Sequence, residues 1–459
     1  MNRDREAVVW TRLPGQPVRM GRLYITDTDS RFSYDPAYLD LDLPGLGRVL
    51  SPALWGERTL VHPRTARFDF PPPIQSLIPP REAGNFQRNL ALRCLGARVA
   101  DPSRSDFETD WEILKLAGHG GIGHLDVFAD DAQAQQWYGD TSTHRFFEVD
   151  QALPVSLKDL LAWFDGEADR LLALIGPTPS VGGAIPKLLV SIPDSGWDGR
   201  IGPPTRGPAP GVTDVVLKLE QSATYPGITA LEALALDVHR ELGFEVPRYW
   251  LTRFRDIPAI AVERFDRDSE RRPLFTETLF SVIASGNPGL ASHYDFSYDG
   301  IARALAHPEL ELASDVEQAR VHLFRRLVAA FLTGNGDLHL ENLSLLTRDD
   351  LTGFSPVYDP TPMRAWPIHD MLNVMPFGHY GELPAGHDRP VGLREALRRF
   401  ARHCGLSVAE AGGMVADMLD ATRDYAERVA AIEALPERNR KALVGIHRDM
   451  CKRLQGVFV

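Results

Sequence analysis

The chain has 459 residues, of which 44% are hydrophobic and 24% are charged, as is ordinary for a protein with a hydrophobic core. This length suits two or three domains. The net charge of −12 argues against a generic nucleic-acid binder, because neutralising phosphates needs a surplus of Lys and Arg. Composition therefore favours a folded, multidomain protein whose function lies elsewhere.

Cysteine usage and hydrophobicity bear on the compartment. Cys94, Cys404 and Cys451 are few, odd in number and far apart, which is typical of a reducing compartment and not of a disulfide framework. The first residues lack the apolar core of a signal peptide, and no run approaches the ~18 apolar residues of a membrane span. We expect a cytoplasmic protein that does not contact a membrane.

The first third of the chain is rich in short β-leaning runs and in glycine. Residues 7–10, 18–25 and 31–38 predict strands, so we expect a small β-containing domain over residues 1–110. Glycines at 118–123 indicate a backbone that turns tightly or approaches another group closely. No strand precedes them, so the pattern of a dinucleotide-binding loop is incomplete.

A second glycine segment, Ser-Val-Gly-Gly-Ala-Ile-Pro-Lys, covers residues 180–187. The backbone N–H groups of Gly182 and Gly183 could face a phosphate, with Ser180 and Lys187 supplying a hydroxyl and a cation beside them. The alternative is a plain hairpin turn before a strand. This segment is the first candidate for nucleotide binding.

A strand and a helix follow, and each carries one charged residue of interest. The alternation of residues 212–220 predicts a strand with Lys218 near its middle, where it could reach the phosphates of a nucleotide or lie in solvent. In the helix predicted over 230–242, Glu232 could pair with Lys218 or close a capping box with Thr229. These alternatives stay open from the sequence.

The apolar strand near residue 260 breaks into a polar connector, which suits a hinge. Backbone groups from Glu263 to Phe265 could hydrogen-bond the edge of an adenine there. The remainder of the chain is predicted to be mainly helical.

The strongest chemical signal lies in residues 334–346. A helix with a predicted capping box of Ser314 and Glu317 stops at Gly334, and Asp337 and Asn342 follow on a polar loop. A turn-rich segment between two short strands, the second ending at Asp359, predicts a hairpin that returns Asp359 to Asn342. One carboxylate could orient an acceptor hydroxyl while the Asn and the second Asp hold Mg²⁺, although such loops are often plain turns.

In this order the elements resemble the HipA family of serine/threonine kinase toxins over nearly the whole chain. The resemblance is carried by residues 31–39, 50–52, 180–187, 262–267, 334–342 and 358–359. It implies an α+β fold of the two-lobed protein-kinase-like type. The implied divisions are an N-terminal subdomain at 1–110, a kinase N-lobe at 111–266 and a helical C-lobe at 267–459.

The resemblance also implies a role for each matching residue. Asp337 is the implied catalytic residue, Asn342 and Asp359 are the implied Mg²⁺ ligands, and Ser180 matches a serine that the family autophosphorylates. The residues implied to contact ATP are Gly182, Gly183, Ala184, Lys187, Lys218, Glu263, Arg264, Phe265 and Tyr358. Phosphate on Ser180 would add about two negative charges and hold the glycine segment away from ATP.

Partners, too, are implied by the resemblance alone. HipA-like toxins are usually neutralised by a small helix-turn-helix antitoxin that binds operator DNA, and their known targets are aminoacyl-tRNA synthetases. The acidic charge predicts that DNA is contacted mostly through the antitoxin. Ile185 and Pro186 depart from the prototype members, which carry Gln and Glu there, and Pro186 lacks an N–H.

Two other functions compete with a protein kinase. The segment 336–342 also resembles the loop of aminoglycoside and choline kinases, which predicts a small-molecule phosphotransferase as the alternative. The second is an ATP-binding pseudokinase that acts as a regulatory scaffold. The presence of Lys218, Asp337, Asn342 and Asp359 disfavours the second.

Overall fold

A computed structural model describes residues 5–65, 67–82, 85–96, 105–140, 144–149, 179–181 and 185–458. The chain divides into two compact units. The first contains Met1–Glu220, Arg248–Glu277 and Ser281–Pro288, and the second contains Gln221–Pro247, Thr278–Phe280 and Gly289–Val459. The three-part division expected from the sequence stays a prediction.

The first unit begins with a five-stranded antiparallel sheet. In spatial order its strands are Leu60–Pro63, Asp29–Tyr34, Val18–Ile25, Arg5–Thr11 and Asp126–Phe128. Val9, Leu23 and Phe32 are fully buried in the core of this sheet. The β-containing start of the chain is therefore confirmed, although one strand of this sheet comes from beyond residue 110.

A second antiparallel sheet of four strands completes the first unit. Its order is Tyr249–Phe254, Ile257–Glu263, Val212–Leu219 and Lys187–Pro193. Val190, Val215 and Ala261 lie fully buried in its core. The predicted strand at 212–220 is central in this sheet, with neighbours on both sides.

Among the described residues, the longest helices lie in the second unit. The first unit has Pro36–Leu39, Pro52–Trp55, Pro72–Gln75, Phe86–Leu95, Asp106–Ala117 and Asp131–Gly139. The second has Ile228–Glu241, Tyr298–Leu305, Val316–Thr333, Leu393–His403, Val408–Ala421, Tyr425–Ala430 and Glu437–Leu454. Helix Leu279–Gly286 includes residues of both units. Within the described residues, no helix has the length and apolarity that crossing a membrane requires.

The start of helix Ile228–Glu241 differs from the sequence expectation. Its N-cap is Gly227 in the left-handed conformation (φ +78°), with no side-chain cap. A Cβ on Gly227 would meet the backbone of Leu435 at 2.7 Å, so glycine is required by space as well as by φ. The capping box of Thr229 and Glu232 was wrong because the helix starts earlier and both residues lie inside it.

Helix Val316–Thr333 leads to the candidate site. The predicted cap at Ser314 was wrong: Asp315 caps the helix by accepting the N–H of Gln318, and the Ser314 hydroxyl accepts the N–H of Thr352 at 2.8 Å. The predicted end is confirmed, since Gly334 closes the helix in the left-handed conformation.

The hairpin after the site is also confirmed. Strand Ser344–Arg348 pairs antiparallel with Leu351–Phe354 around a turn in which Asp349 and Asp350 have positive φ. The second strand ends at Phe354, so Asp359 lies in the loop beyond it and not at a strand end.

Candidate active site

The loop after helix Val316–Thr333 is held by a side-chain hydrogen bond and by a glycine that packs closely against the backbone. The side-chain oxygen of the buried Asn335 accepts the N–H of Asp337 at 3.0 Å. A Cβ on Gly336 would lie 2.4 Å from the carbonyl oxygen of Met371, so no larger residue fits there. The loop therefore presents Asp337 from a constrained backbone.

A hydrogen bond links Asn342 to Asp337 within the loop. Asn342 lies in the turn Leu340–Asn342 and donates from Nδ2 to the carbonyl oxygen of Asp337 at 2.9 Å. The phenol of Tyr298 donates to the carbonyl oxygen of Leu338 at 2.6 Å and anchors the middle of the loop. Because its nitrogen is used within the loop, Asn342 keeps its side-chain oxygen for another group.

The carboxylate of Asp337 lies among weak hydrogen-bond donors. The phenol of Tyr294 donates to Oδ1 at 3.4 Å, and Nε2 of His339 lies 4.0 Å from Oδ2. Burial first, and then the charge of Asp359, raise the pKa of Asp337 to about 6. Among the residues that the structure describes, no Lys or Arg forms an ion pair with Asp337.

Asp359 reaches the same site from the segment after the hairpin. Its φ of +51° is unusual for a residue with a side chain, as is common where a side chain is held for function. The neighbouring Tyr358 donates its phenol to the carbonyl oxygen of Glu341 at 2.5 Å and shares a 2.6 Å hydrogen bond with the Ser344 hydroxyl. Tyr358 thereby ties this segment to the loop that carries Asp337.

Asp337, Asn342 and Asp359 provide the kind of donor set that Mg²⁺ takes. All three offer oxygen atoms, the preferred ligands of this small, hard cation. Burial first, and then the charge of Asp359, raise the pKa of Asp337, and a divalent cation held by both carboxylates would offset that repulsion. The predicted residues thus fit a Mg²⁺ site, and they lie together within the second unit.

In the first unit, the two predicted phosphate-contacting lysines are cross-strand neighbours. Lys187 and Lys218 stand directly opposite each other in the pairing of strands Lys187–Pro193 and Val212–Leu219. Both are at least 96% buried. Side chains at opposite positions share one face of a sheet, so the fold concentrates two positive charges at one place.

The glycine segment is described on either side of its centre. Ser180 is half-buried and donates its N–H to Leu77 O at 3.1 Å, and the N–H of Val181 donates to Oε1 of Gln87 at 2.9 Å. The carbonyl oxygen of Pro186 accepts the N–H of Leu219 at 2.9 Å. The predicted ATP contacts Gly182, Gly183 and Ala184 lie outside the described residues.

The predicted hinge uses its polar groups inside the first unit. The backbone N–H groups of Glu263 and Arg264 donate to Arg248 O and Asp214 O, each at 2.9 Å. The carboxylate of Glu263 also pairs with the Arg248 guanidinium at 2.8 and 2.9 Å. An adenine edge would therefore have to bond groups other than these two N–H groups, and that contact stays a prediction.

A buried cluster of ion pairs lies beside the predicted hinge, and the sequence analysis did not predict it. The carboxylate of Asp266 forms ion pairs with the guanidinium groups of Arg264 and Arg267, each at 2.8 Å. All three side chains are at most 3% exposed. Arg267 also donates to Gly121 O at 2.8 Å and to Gly123 O at 2.9 Å, and Gly123 N–H donates to Asp266 at 2.7 Å.

This cluster explains the dense glycines at 118–123, whose backbone the sequence predicted to approach another group closely. The guanidinium of Arg264 also belongs to it and donates to Gly121 O, so its side chain is not directed to a nucleotide. No local signal could have revealed the partners, because they lie more than 140 residues apart.

Glu232 is buried in the second unit, within helix Ile228–Glu241. Because the capping box is absent, pairing with Lys218 is the remaining sequence-based role, and it stays a prediction. His293 and Tyr294 are further residues near Asp337 that the sequence did not single out. Neither belongs to a recognisable motif.

The chain has a mixed helix-and-sheet fold of the protein-kinase-like type. It is similar to the structure described as the Shewanella oneidensis MR-1 toxin–antitoxin system HipA, HipB and its operator DNA complex, with a TM-score of 0.62 over 95% of both chains. The sequence identity is 15%, so this likeness concerns the fold.

Sequence comparison then identifies the family. The family described as HipA-like C-terminal domain matches residues 179–426, more than half of the chain. The chain therefore belongs to this family.

Two curated relatives match shorter stretches. It is 32% identical over 154 residues to "Putative kinase" of Haemophilus influenzae and 31% identical over 153 residues to "Putative kinase Y4dM" of Sinorhizobium fredii. These matches span 31% and 30% of this chain, and 43% and 35% of the relatives' lengths.

Proposed function

We propose that this protein is an ATP-dependent serine/threonine protein kinase of the HipA type. The observation that carries the proposal is the environment of Asp337. Its half-buried carboxylate has a pKa raised to about 6 by burial and by the charge of Asp359, and its backbone carbonyl oxygen accepts a hydrogen bond from the side chain of Asn342. A base with a pKa just below neutral is ionised at pH 7 and still accepts a proton from a hydroxyl in the transition state.

The proposed reaction moves one phosphoryl group. Asp337 orients the acceptor hydroxyl and takes its proton as the oxygen bonds to the γ-phosphorus and the bond to ADP breaks. Asn342 and Asp359 would hold Mg²⁺, which when bound neutralises charge on the phosphates. Asp337 then releases the proton to solvent. The alignment of Asp337 is supported by its N–H bond to Asn335 at 3.0 Å.

The pair of lysines in the first unit supports ATP as the donor. Lys187 and Lys218 stand opposite each other in one sheet, so their two ammonium groups could contact more phosphate oxygens than a single strand lysine could. We therefore keep both as proposed phosphate contacts, with Ser180 at the edge of the glycine segment as the proposed autophosphorylation site.

Biological context is proposed from the relative of known structure. The HipA of Shewanella oneidensis occurs with HipB and operator DNA. By analogy this chain would be a toxin neutralised by a HipB-like helix-turn-helix antitoxin, and DNA would be contacted through that partner. An aminoacyl-tRNA synthetase is the proposed protein substrate.

The decisive experiment is incubation of the purified protein with Mg-ATP followed by intact-mass and peptide analysis. We expect the mass to rise by one phosphate, with the phosphate on Ser180. Asp337→Ala should lower the rate about 10²-fold to 10⁴-fold. Asp388→Ala, at an exposed loop position of the second unit, is the matched control and should behave as wild type.

The same assay separates the competing functions. Phosphate transfer to an aminoglycoside or choline, with none to protein, would indicate a small-molecule kinase. Binding of ATP without transfer to any acceptor would indicate a pseudokinase. Ser180→Ala separates the loss of the phosphorylated residue from the loss of kinase activity. This variant should carry no phosphate on its own chain and should still transfer phosphate to a protein substrate.

A further inference from the structure

Three metal-ligating side chains converge beside Asp337 and have no part in the proposed phosphoryl transfer. A ring nitrogen of His293, a ring nitrogen of His339 and a carboxylate oxygen of Glu341 lie within 4.8 Å of one another. The imidazole rings of His293 and His339 have centroids 4.2 Å apart, and Nδ1 of His293 lies 3.6 Å from Oε2 of Glu341. In the described part of the chain, this is the group of His, Cys, Asp or Glu that meets metal-site spacing.

The chemistry of these ligands selects a different metal from the oxygen site nearby. Two imidazoles and one carboxylate form the three-ligand set of many Zn²⁺ sites that keep a fourth position open for water. Mg²⁺ and Ca²⁺ prefer oxygen ligands throughout. The His293, His339 and Glu341 group therefore suits Zn²⁺ or a similar borderline transition ion, whereas Asn342 and Asp359 suit Mg²⁺.

The cluster is held by the backbone and open to ions in solution. The N–H of Leu340 donates to the carbonyl oxygen of His293 at 3.3 Å, which joins the His293 segment to the catalytic loop. The side chain of His339 is 10% exposed, and those of His293 and Glu341 are 18% and 33% exposed. The site is thus preassembled but not sealed.

Metal binding needs small adjustments. Ligand atoms of a tetrahedral zinc site lie roughly 3.4 Å apart, given zinc–ligand bonds of about 2.1 Å. The observed spread of up to 4.8 Å therefore closes by roughly 1 Å of side-chain movement. Nδ1 of His339 accepts the N–H of Glu341 at 3.2 Å, so this nitrogen carries no proton and a metal there would replace one long hydrogen bond.

We propose that His293, His339 and Glu341 form a Zn²⁺-binding site distinct from the proposed Mg²⁺ site. Since His339 and Glu341 lie between Asp337 and Asn342 in the chain, a bound Zn²⁺ would restrain the loop that carries both. Zn²⁺ binding does not depend on the proposed kinase activity, because none of the three ligands is a proposed Mg²⁺ ligand.

The test uses the metal-stripped full-length protein, with Zn²⁺ as the probe and excess Mg²⁺ present. Isothermal titration calorimetry without ATP should show one Zn²⁺ per chain. His293→Ala and Glu341→Gln should each weaken binding at least about 10-fold, because each removes a direct ligand. His387→Ala removes an exposed histidine elsewhere in the second unit and should leave binding unchanged.

Two further measurements keep the assignment sharp. Co²⁺ in place of Zn²⁺ should give the visible spectrum of nitrogen and oxygen ligands without a thiolate band, since His447 and Cys451, 3.5 Å apart, are a rival pair. Loss of binding in Cys451→Ser, or equal Zn²⁺ affinity in wild type, His293→Ala and Glu341→Gln, would overturn the proposal. Circular dichroism confirms that each variant is folded, with His293→Gln replacing His293→Ala where needed.

Discussion

Asp266 in the first unit and Asp337 in the second are both shielded from water, yet their environments shift their pKa values in opposite directions. Burial alone would raise the pKa of Asp266, but the charges of Arg264 and Arg267 outweigh it and hold that pKa at about 2. For Asp337, burial and the charge of Asp359 act together and raise the pKa to about 6. The nearest cations, and not burial, decide the difference.

The difference distinguishes a structural carboxylate from one suited to chemistry. Asp266 is permanently ionised and links the hinge to the backbone of Gly121 and Gly123 through its arginines. Asp337 can change protonation near neutral pH and lies among oxygen ligands suited to a cation. Of the two buried acids, the one that forms no ion pair with a described Lys or Arg is therefore the one that indicates the candidate active site.

Replacing the structural carboxylate of Asp266 should have the greatest consequence for stability. Asp266→Asn leaves two buried guanidinium groups without their anion, which should lower the free energy of unfolding by about 3–5 kcal/mol. Urea unfolding followed by circular dichroism measures this. The matched control is Asp268→Asn, whose carboxylate pairs with the more exposed Arg272 and should cost about 1 kcal/mol or less.

The pH dependence of stability should have opposite signs at the two acids. The folded pKa of Asp266 lies below the ordinary 3.8, so its contribution is present above about pH 4 and is lost as pH falls toward 2. The folded pKa of Asp337 lies above 3.8, so its ionisation removes stability as pH rises from 3.8 to about 6.

Asp337→Asn should therefore stabilise the metal-free protein at pH 7, and the gain should vanish below about pH 4. Asp266→Asn should show the reverse, with a cost at pH 7 that shrinks toward pH 2. Urea unfolding of both variants across this pH range is the measurement. A destabilised Asp337→Asn at pH 7 would contradict the assigned environment of Asp337.

Sequence reasoning found what depends on local patterns. The apolar periodicity before Gly334, the turn at Asp349 and the strand around Lys218 were each visible within a few residues. Helix starts were less predictable, because Asp315 and Gly227 cap their helices where Ser314 and Thr229 also looked suitable. Adjacent capping residues have similar propensities, and tertiary contacts choose between them.

The tertiary environment of the site was not visible in the sequence. The segment containing Asp337 and Asn342 was recognised from its spacing, but the contact of Tyr294 with Asp337 joins positions 43 residues apart. The bond between Gly123 and Asp266 spans 143 residues. Contacts of this kind follow from the fold and leave no period or motif in one sequence.

Tyr358→Phe should affect the catalytic loop more than it affects the stability of the whole protein. The variant loses the phenol that donates to Glu341 O and bridges to the Ser344 hydroxyl. A partly buried carbonyl left without its donor costs about 1–2 kcal/mol, which corresponds to roughly 5-fold to 30-fold in kcat if the loop must be held for transfer. Tyr380→Phe, which loses a partly exposed 3.3 Å contact with Arg453, is the control and should be near wild type.

The smallest expected effect is that of Tyr294→Phe, which removes a donor from the Asp337 carboxylate. The hydrogen bond is long, at 3.4 Å, and it lowers the pKa of Asp337 against burial and Asp359. Its loss should raise that pKa by less than about one unit, so the acidic limb of the kcat/KM profile should move to higher pH by that amount. Activity well above the limb should change little, because Asp337 is ionised there in both proteins. A shift to lower pH would show that Tyr294 does not stabilise the ionised carboxylate, and the contrast with Asp266 would then rest on burial and Asp359 alone.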